Sequence, residues 1–214
     1  MAPAPAFCYQ PPCMRIACVG GGPAGLYFAI LMKRLDPRHE IEVYERNRPD
    51  DTFGWGVVFS DETLQNFAEA DAESHAAIEG SFVRWTGIDI FGPQGHVHST
   101  GHGFCGLSRK RLLAILQERA SALGVLLHHQ VECDPRALPE ADLVVAADGV
   151  NSRVRDHWAD QFRPSIDWRR CRFSWLGTDL RLEAFTFLFK ESPHGLFQVH
   201  AYPYAEGRST FIVE

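Results

Sequence analysis

Residues 15–30 read RIACVGGGPAGLYFAI. The apolar run Arg15 to Val19 predicts a short strand, and Ala24 to Leu35 predicts a helix that Asp36-Pro37 stops. Between them, Gly20-Gly21-Gly22-Pro23-Ala24-Gly25 has the form G-x-G-x-x-G. In such a loop Gly20 permits the tight turn and Gly22 lets a pyrophosphate approach the backbone. Gly25 allows close helix–strand packing, with phosphates held at the helix N-terminus beside Pro23 and Ala24. A glycine-rich turn is common by itself, so context has to decide. Ile41 to Glu45 alternates as a second strand, and Glu45 closes it twenty positions after Gly25, where a carboxylate can accept from ribose hydroxyls. Glu45 would repel a 2′-phosphate, which argues against NADP at this position. The competing reading is a plain tight turn followed by a solvated glutamate.

Outward from this loop, strand and helix continue to alternate. Asp61 to Phe67 begins a helix capped by Ser60 or Asp61, and short strand-like pieces broken by glycine fill residues 82–105. Ser108 to Leu123 is amphipathic, with Leu112, Leu113, Leu116, Ala120 and Leu123 on one side and Gly124 as a stop. Val125 to His128 and Leu143 to Ala147 read as further strands. From Cys171 the texture changes, and residues 172–175, 185–190, 196–201 and 210–213 alternate like antiparallel strands. Phe185, Phe187, Phe189 and Phe197 read there as one apolar face, serving core packing before any role as an aromatic substrate wall. The expected fold class is α/β: a Rossmann-like nucleotide-binding domain joined to a mainly antiparallel sheet. Residues 1–13 are expected to be a disordered extension, with Met14 as the natural start. Residues 14–170 form the nucleotide-binding domain, its strands 82–105 contributing to the second sheet. Residues 171–214 begin that sheet and leave it incomplete, with 210–213 as an open edge.

Composition narrows the function. Apolar residues make up 45% of the 214, enough for a real core. The net charge is −6 and no basic run exceeds Arg109-Lys110-Arg111, which argues against nucleic acid as a partner. No apolar stretch is long enough to span a membrane, and residues 1–13 lack the pattern of a secretory signal. The six cysteines form no Cys-x-x-Cys pair, and Cys18 and Cys133 sit in or beside apolar segments, as free thiols of a reducing cytoplasm do. His96 and His98 share a strand face near His102, but the sequence shows no carboxylate or cysteine completing a ligand set, so no metal is expected.

Residues 146–155, AADGVNSRVR, follow the apolar run Leu143 to Val145. Ligands of open α/β sheets lie at the carboxyl ends of strands, and Asp148-Gly149 occupies such an end. Asn151 or Ser152 could cap the helix that follows, and Arg153 and Arg155 could offer charge to phosphate. A capped turn with exposed arginines explains the same letters. On these residues alone, an NAD(P)-dependent dehydrogenase or reductase and an FAD-binding oxidoreductase both stand.

A resemblance separates them. The glycine loop, Glu45-Arg46, Arg109-x-x-Leu112 opening a helix, and Asp148-Gly149-x-x-Ser152-x-x-Arg155 together resemble the FAD-dependent aromatic monooxygenases of the p-hydroxybenzoate hydroxylase fold. The match is nearest to the branch that contains salicylyl-CoA 5-hydroxylase and the monooxygenase half of anthraniloyl-CoA monooxygenase/reductase. It is carried by residues 18–30, Glu45-Arg46-Asn47, Phe53 to Val58, His102 to Gly106, Trp175 to Thr178 and Ser209 to Glu214. A violacein-pathway hydroxylase is similar through the Gly-Trp-Gly-Val-Val and Phe-Ile-Val-Glu stretches. The resemblance implies FAD as cofactor, NAD(P)H and O2 as co-substrates, and hydroxylation of an aromatic ring, in an aryl-CoA thioester or a free aromatic small molecule, through a C4a-hydroperoxide of the flavin. It further implies that Glu45 binds the adenosine ribose with Arg46 beside it, that Arg109 lies near the pyrophosphate, and that Asp148-Gly149 serves both FAD and the passing nicotinamide cofactor. Gly54, Gly56 and Val57 would run along the flavin ring, where glycine permits close approach; a buried loop with Trp55 as packing is the rival. His102 and Phe104 are candidate substrate contacts, or equally a turn before the helix at Ser108. No catalytic acid or base is expected, because the cofactor carries the chemistry.

Two departures from the family's pattern stand out. The loop along the flavin reads Gly54-Trp55-Gly56-Val57 and lacks the arginine that many members carry. The family's second FAD signature, a Gly-Asp strand end, is absent before Glu214. The chain is therefore read as an N-terminal fragment, retaining FAD weakly and not turning over alone, of a protein that admits a fused C-terminal reductase domain.

Overall fold

The structure, a computed structural model, describes residues 12–214. The extension expected over residues 1–13 lies outside them but for its last two residues. Strand β1 (Arg15–Val19) leads into helix α1 (Pro23–Leu35) and strand β2 (Glu40–Glu45). Then come β3 (Gly56–Ser60), α2 (Asp61–Ala70), α3 (Ala72–Glu79), β4 (Val83–Trp85), β5 (Gly87–Gly92), β6 (Gly95–Ser99) and β7 (Phe104–Ser108). Helix α4 (Arg109–Ala122) precedes β8 (Leu126–His129), β9 (Leu143–Ala146), α5 (Arg153–His157) and α6 (Ala159–Phe162). The chain ends with β10 (Ser174–Thr178), β11 (Ala184–Ser192), β12 (Gly195–Ala205) and β13 (Arg208–Val213).

The strands form three sheets. A parallel sheet has the order β8-β2-β1-β9, with β1 central, its apolar residues 16–19 all buried. Burial on both faces is what a central parallel strand requires, and it explains the unbroken apolar run. Helices α1 and α4 pack against each other, presenting Leu26, Ala29 and Ile30 from one and Leu112, Ile115 and Leu116 from the other to a shared core. Asp71 joins these layers. It ends α2, caps α3 by accepting from the Ser74 N–H, and receives the guanidinium groups of Arg34 on α1 and Arg119 on α4.

The second sheet is antiparallel except at one seam, with the order β10-β13-β12-β11-β5-β6, and β11 runs parallel to β5. A small antiparallel sheet, β3-β7-β4, lies against β12. Between the two, Trp85, Phe104, Phe185 and Tyr202 pack as one aromatic cluster, with ring centroids 5.3–6.4 Å apart.

Two sequence expectations are corrected here. Residues 210–213 are no open edge: β13 pairs with β10 on one side and β12 on the other. Phe197 does not share a face with Phe185, Phe187 and Phe189. The β11–β12 hairpin pairs Ser192 with Gly195, so Phe197 falls opposite Lys190, on the other face. A two-residue turn sets that register, and register decides the face. Helix α3 carries no signal singled out in the sequence; its cap, Asp71, is also the last residue of the preceding turn.

Candidate functional site

A cleft opens at the carboxyl end of the parallel sheet. Gly20, Gly22, Pro23, Glu45, Arg46, Arg109, Asp148 and Gly149 all line it, so residues more than a hundred positions apart in sequence converge on one site. The glycines of the loop have different surroundings. Gly20 adopts φ +109°, and a Cβ there would lie 2.3 Å from the Ala147 carbonyl oxygen. A Cβ on Gly25 would lie 2.1 Å from the Gly20 carbonyl oxygen, because the helix is pressed onto the turn. Gly22 is unlike both: a Cβ there would meet nothing within 4 Å. It caps α1 with Pro23 following, no side chain caps the helix, and no carboxylate occupies its first turn. The first N–H groups of α1 are thus left to whatever enters the cleft.

Glu45 closes β2 and reaches back to the loop. Its Oε2 accepts from the Gly21 N–H (2.8 Å), while Oε1 accepts from the Asn47 N–H (2.8 Å) and the Asn47 side-chain amide (2.7 Å). A carboxylate has about four acceptor sites, so about one is left for a ribose hydroxyl. Beside it Tyr44 donates to Glu42; burial first, and that bond second, push its phenol up to about 12, and it stays neutral. Arg46 is exposed on the rim.

Arg109 opens α4, and its backbone N–H donates to the Trp55 carbonyl (2.9 Å). Its Nε is buried without a hydrogen-bond partner among the described residues. A buried guanidinium N–H left unpaired is costly, and an anion in the cleft would satisfy it. Leu113 and Gln117 follow at helical spacing and line the same wall, a pattern legible in the sequence but not singled out there. Thr52, whose buried hydroxyl is also unpartnered, likewise lines the cleft.

Asp148 is turned partly inward. It accepts from the Ser152 hydroxyl and from the backbone N–H groups of Arg153 (2.8 Å) and Val154 (3.3 Å), so it caps α5 while remaining in the cleft wall. Ser152 is the other cap, accepting from the Arg155 N–H. Arg153 faces the cleft paired with Glu132; Arg155 points elsewhere, to Asp156 and the Val150 carbonyl.

The remaining candidates sit outside the lining. Ala24 and Gly25 lie within α1. Gly54, Gly56 and Val57 lie beside the cleft, and their loop is firmly tied down. Gly56 donates its N–H to the Thr210 hydroxyl and accepts from the Tyr202 hydroxyl, each at 3.0 Å, both buried. Val57 packs on the main core. His102 bonds Ser99, and the Phe104 ring belongs to the aromatic cluster. The histidine pair brings one correction: a carboxylate does join it. Asp89, on the neighbouring strand, accepts from His96 and His98 through the same oxygen.

The donor set suits a dinucleotide: uncapped helix N–H groups, a guanidinium whose buried Nε has no partner among the described residues, and a strand-end carboxylate. Among the described residues no helix is long and apolar enough to cross a membrane. No family model matches the chain. Among curated proteins, Salicyloyl-CoA 5-hydroxylase from Streptomyces sp. is 46% identical over 202 residues, covering 94% of this chain and 39% of that protein. A 3-hydroxy-4-methyl-anthranilyl-[aryl-carrier protein] 5-monooxygenase from Streptosporangium sibiricum is 35% identical over 94% of the chain and 57% of its own length. Protodeoxyviolaceinate monooxygenase from Chromobacterium violaceum is 30% identical, with 94% and 55% covered. The chain thus spans 39% to 57% of the length of these relatives. Among solved structures, 2-methyl-3-hydroxypyridine-5-carboxylic acid oxygenase superposes with TM-score 0.77 at 22% identity, over 95% of this chain and 59% of that one. Pseudomonas aeruginosa PqsL with 2-aminobenzoylacetate gives 0.71 at 16% identity, over 94% and 60%; these two likenesses speak to fold alone. Over the stretch it shares with them, this chain is similar in sequence to these hydroxylating monooxygenases.

Proposed function

We propose that the protein containing this chain hydroxylates an aromatic ring held as an aryl-CoA thioester, salicylyl-CoA or anthraniloyl-CoA, using FAD, NAD(P)H and O2. Bound FAD, reduced by NAD(P)H, would supply the oxygen-activating chemistry; the residues here hold and orient it. The observation that carries the reading is Arg109, which lines the same cleft as the uncapped start of α1 and whose buried Nε has no partner among the described residues. In this reading Gly20, Gly22, Pro23, Ala24 and Gly25 receive the pyrophosphate with Arg109, and Glu45 takes the adenosine ribose beside Arg46. Asp148 and Gly149 form the far wall, and Gly54, Gly56 and Val57 follow the flavin ring. Residues 14–170 would be the FAD-binding domain, with 82–105 and 171–214 building the substrate sheet and His102 and Phe104 near the ring to be hydroxylated. The CoA thioester follows from the likeness to the Streptomyces hydroxylase. The five free cysteines among the described residues support a cytoplasmic location.

The test is FAD titration, followed by flavin fluorescence, on the protein containing this chain and on its Arg109→Ala variant. Loss of one guanidinium contact to phosphate should weaken binding by about tenfold or more. Aryl-CoA should then stimulate NAD(P)H oxidation. A protein that takes up no FAD, or binds it equally well without Arg109, overturns the reading.

A further inference from the structure

Away from the cleft, hairpin β5–β6 gathers three side chains whose chemistry the function above does not use. Asp89 stands directly opposite His98 in the antiparallel register, and His96 stands opposite Phe91, one step along the same face. The Asp89 carboxylate oxygen Oδ1 is 2.7 Å from His96 Nε2 and 2.7 Å from His98 Nδ1. All three ligand-type atoms lie within 4.8 Å of one another. Both rings are held in place. His96 stacks flat on Phe91, centroids 4.3 Å apart and 5° from parallel. His98 lies across Gly87, where an added Cβ would be 3.2 Å from its Cε1. The site is reachable: the side chains of His96 and His98 are 46% and 50% exposed, and that of Asp89 is 23% exposed.

We propose that Asp89, His96 and His98 form a binding site for a divalent first-row transition metal ion, with Zn2+ the best match. Two imidazole nitrogens and one carboxylate oxygen are the mixed donor set such ions prefer over Mg2+ or Ca2+, and three ligands leave one position for water. A His-x-His pair on one strand projects both rings to one face, and the third ligand comes from the adjacent strand, so the pleat supplies the spacing. Tetrahedral Zn2+ with bonds of about 2.0–2.1 Å holds its ligand atoms about 3.3 Å apart. Each histidine nitrogen would draw back roughly 0.6 Å from Asp89 Oδ1, while the two nitrogens, within 4.8 Å of each other, would settle at that same separation. Each ring would present to the ion the nitrogen now directed at Asp89, its single proton moving to the other ring nitrogen, so that both rings bind as neutral imidazoles. The ion would clip β6, exposed along its whole length and forming one edge of the six-stranded sheet, to the adjacent strand β5.

The competing arrangement is an Asp89 that merely accepts from two histidines, and it binds no metal. Equilibrium dialysis of the untagged 214-residue chain against Zn2+ alone separates the two. Cys13 and Cys171, both exposed thiols, are replaced by serine beforehand, together with Cys8. The expected result is one equivalent bound at micromolar free Zn2+. Asp89→Asn, His96→Ala and His98→Ala should each weaken it by about tenfold or more, and His194→Ala should leave it unchanged. Slower amide exchange over residues 95–99 on adding Zn2+ would be the accompanying sign. No stoichiometric binding, or binding indifferent to all three substitutions, overturns the proposal whether or not the protein binds FAD.

Discussion

The hydroxyl of Tyr202, on the central strand β12, donates to the carbonyl of Gly56 at 3.0 Å, while Thr210 accepts the N–H of the same glycine. Both polar groups of one residue in the loop beside the cleft are thereby consumed by side chains from the six-stranded sheet. Tyr202→Phe removes one donor and leaves a buried carbonyl unpaired, at a cost of about 1–3 kcal/mol. Urea denaturation should register that loss with little change in slope; an unchanged midpoint would show that water replaces the phenol.

The two glycines flanking the start of α1 should respond oppositely to the same methyl group. Gly22 has φ −73° and ψ 177°, ordinary for alanine, with open space where the Cβ would go. Gly22→Ala should therefore change stability by less than about 1 kcal/mol yet weaken FAD binding, since the methyl projects where the pyrophosphate would lie. Gly25→Ala places its methyl 2.1 Å from the Gly20 carbonyl and should cost stability outright. Thermal melts paired with FAD titration distinguish the two. FAD binding that survives Gly22→Ala intact would mean the pyrophosphate does not approach there.

Asp71 should dominate the acid limb of the stability curve. Burial works to raise its pKa, but hydrogen bonds from Arg119, Ser74 and Arg34 together outweigh it and hold the carboxyl well below its usual range. A folded-state pKa below the unfolded value of about 3.9 stabilises above that value and is lost as pH falls below it. Asp71→Asn would leave two guanidinium groups short of their partner, costing about 3–5 kcal/mol at neutral pH, and should flatten the pH dependence below about pH 4. Melting temperatures from pH 3 to pH 7 on both proteins check the sign.

What was legible in the sequence was local. Gly20 to Gly25 announces itself because turn geometry and helix start lie within six residues, and Glu45 follows at a spacing fixed by one βαβ unit. The Ser108 helix and its stop at Gly124, φ +82°, are equally local. Illegible were relations that depend on register between strands. Whether Phe197 shares a face with Phe187 rests on a two-residue turn, and Asp89 meets His96 and His98 only because β5 and β6 pair as they do. Trp55 and Trp175 add a further case. Each indole packs on a glycine of the other's segment, at 2.6 Å from a Cβ built on Gly177 or Gly54, and nothing within either segment signals it.

The buried thiols should be chemically silent. Burial pushes the thiols of Cys18 and Cys105 up to about 11, so at neutral pH almost none is thiolate, the reactive form. Iodoacetamide at pH 7.5, followed by peptide mass spectrometry, should label Cys13 and Cys171 and spare Cys18 and Cys105 until denaturant is added. Early labelling of Cys105 would mean that the small sheet opens readily.

Strand β10, rather than β13, should govern self-association. Among the described residues β10 pairs only with β13, leaving its other side unpaired. Leu176 is 50% exposed on it, and Phe173 just before it is 66% exposed. An apolar strand edge with free N–H and C=O groups templates further pairing, and a lysine there opposes it through charge and desolvation. Leu176→Lys loses little packing, because the side chain is half in water already, so stability should shift by less than about 1 kcal/mol. Light scattering at rising concentration should show slower aggregation than in the parent sequence. The same substitution at Phe211, which sits inside the sheet between Leu176 and Ala201, should instead unfold it. If Leu176→Lys aggregates as fast as the parent, association proceeds through another surface, and the β6 edge with Val97, 61% exposed, becomes the next to test.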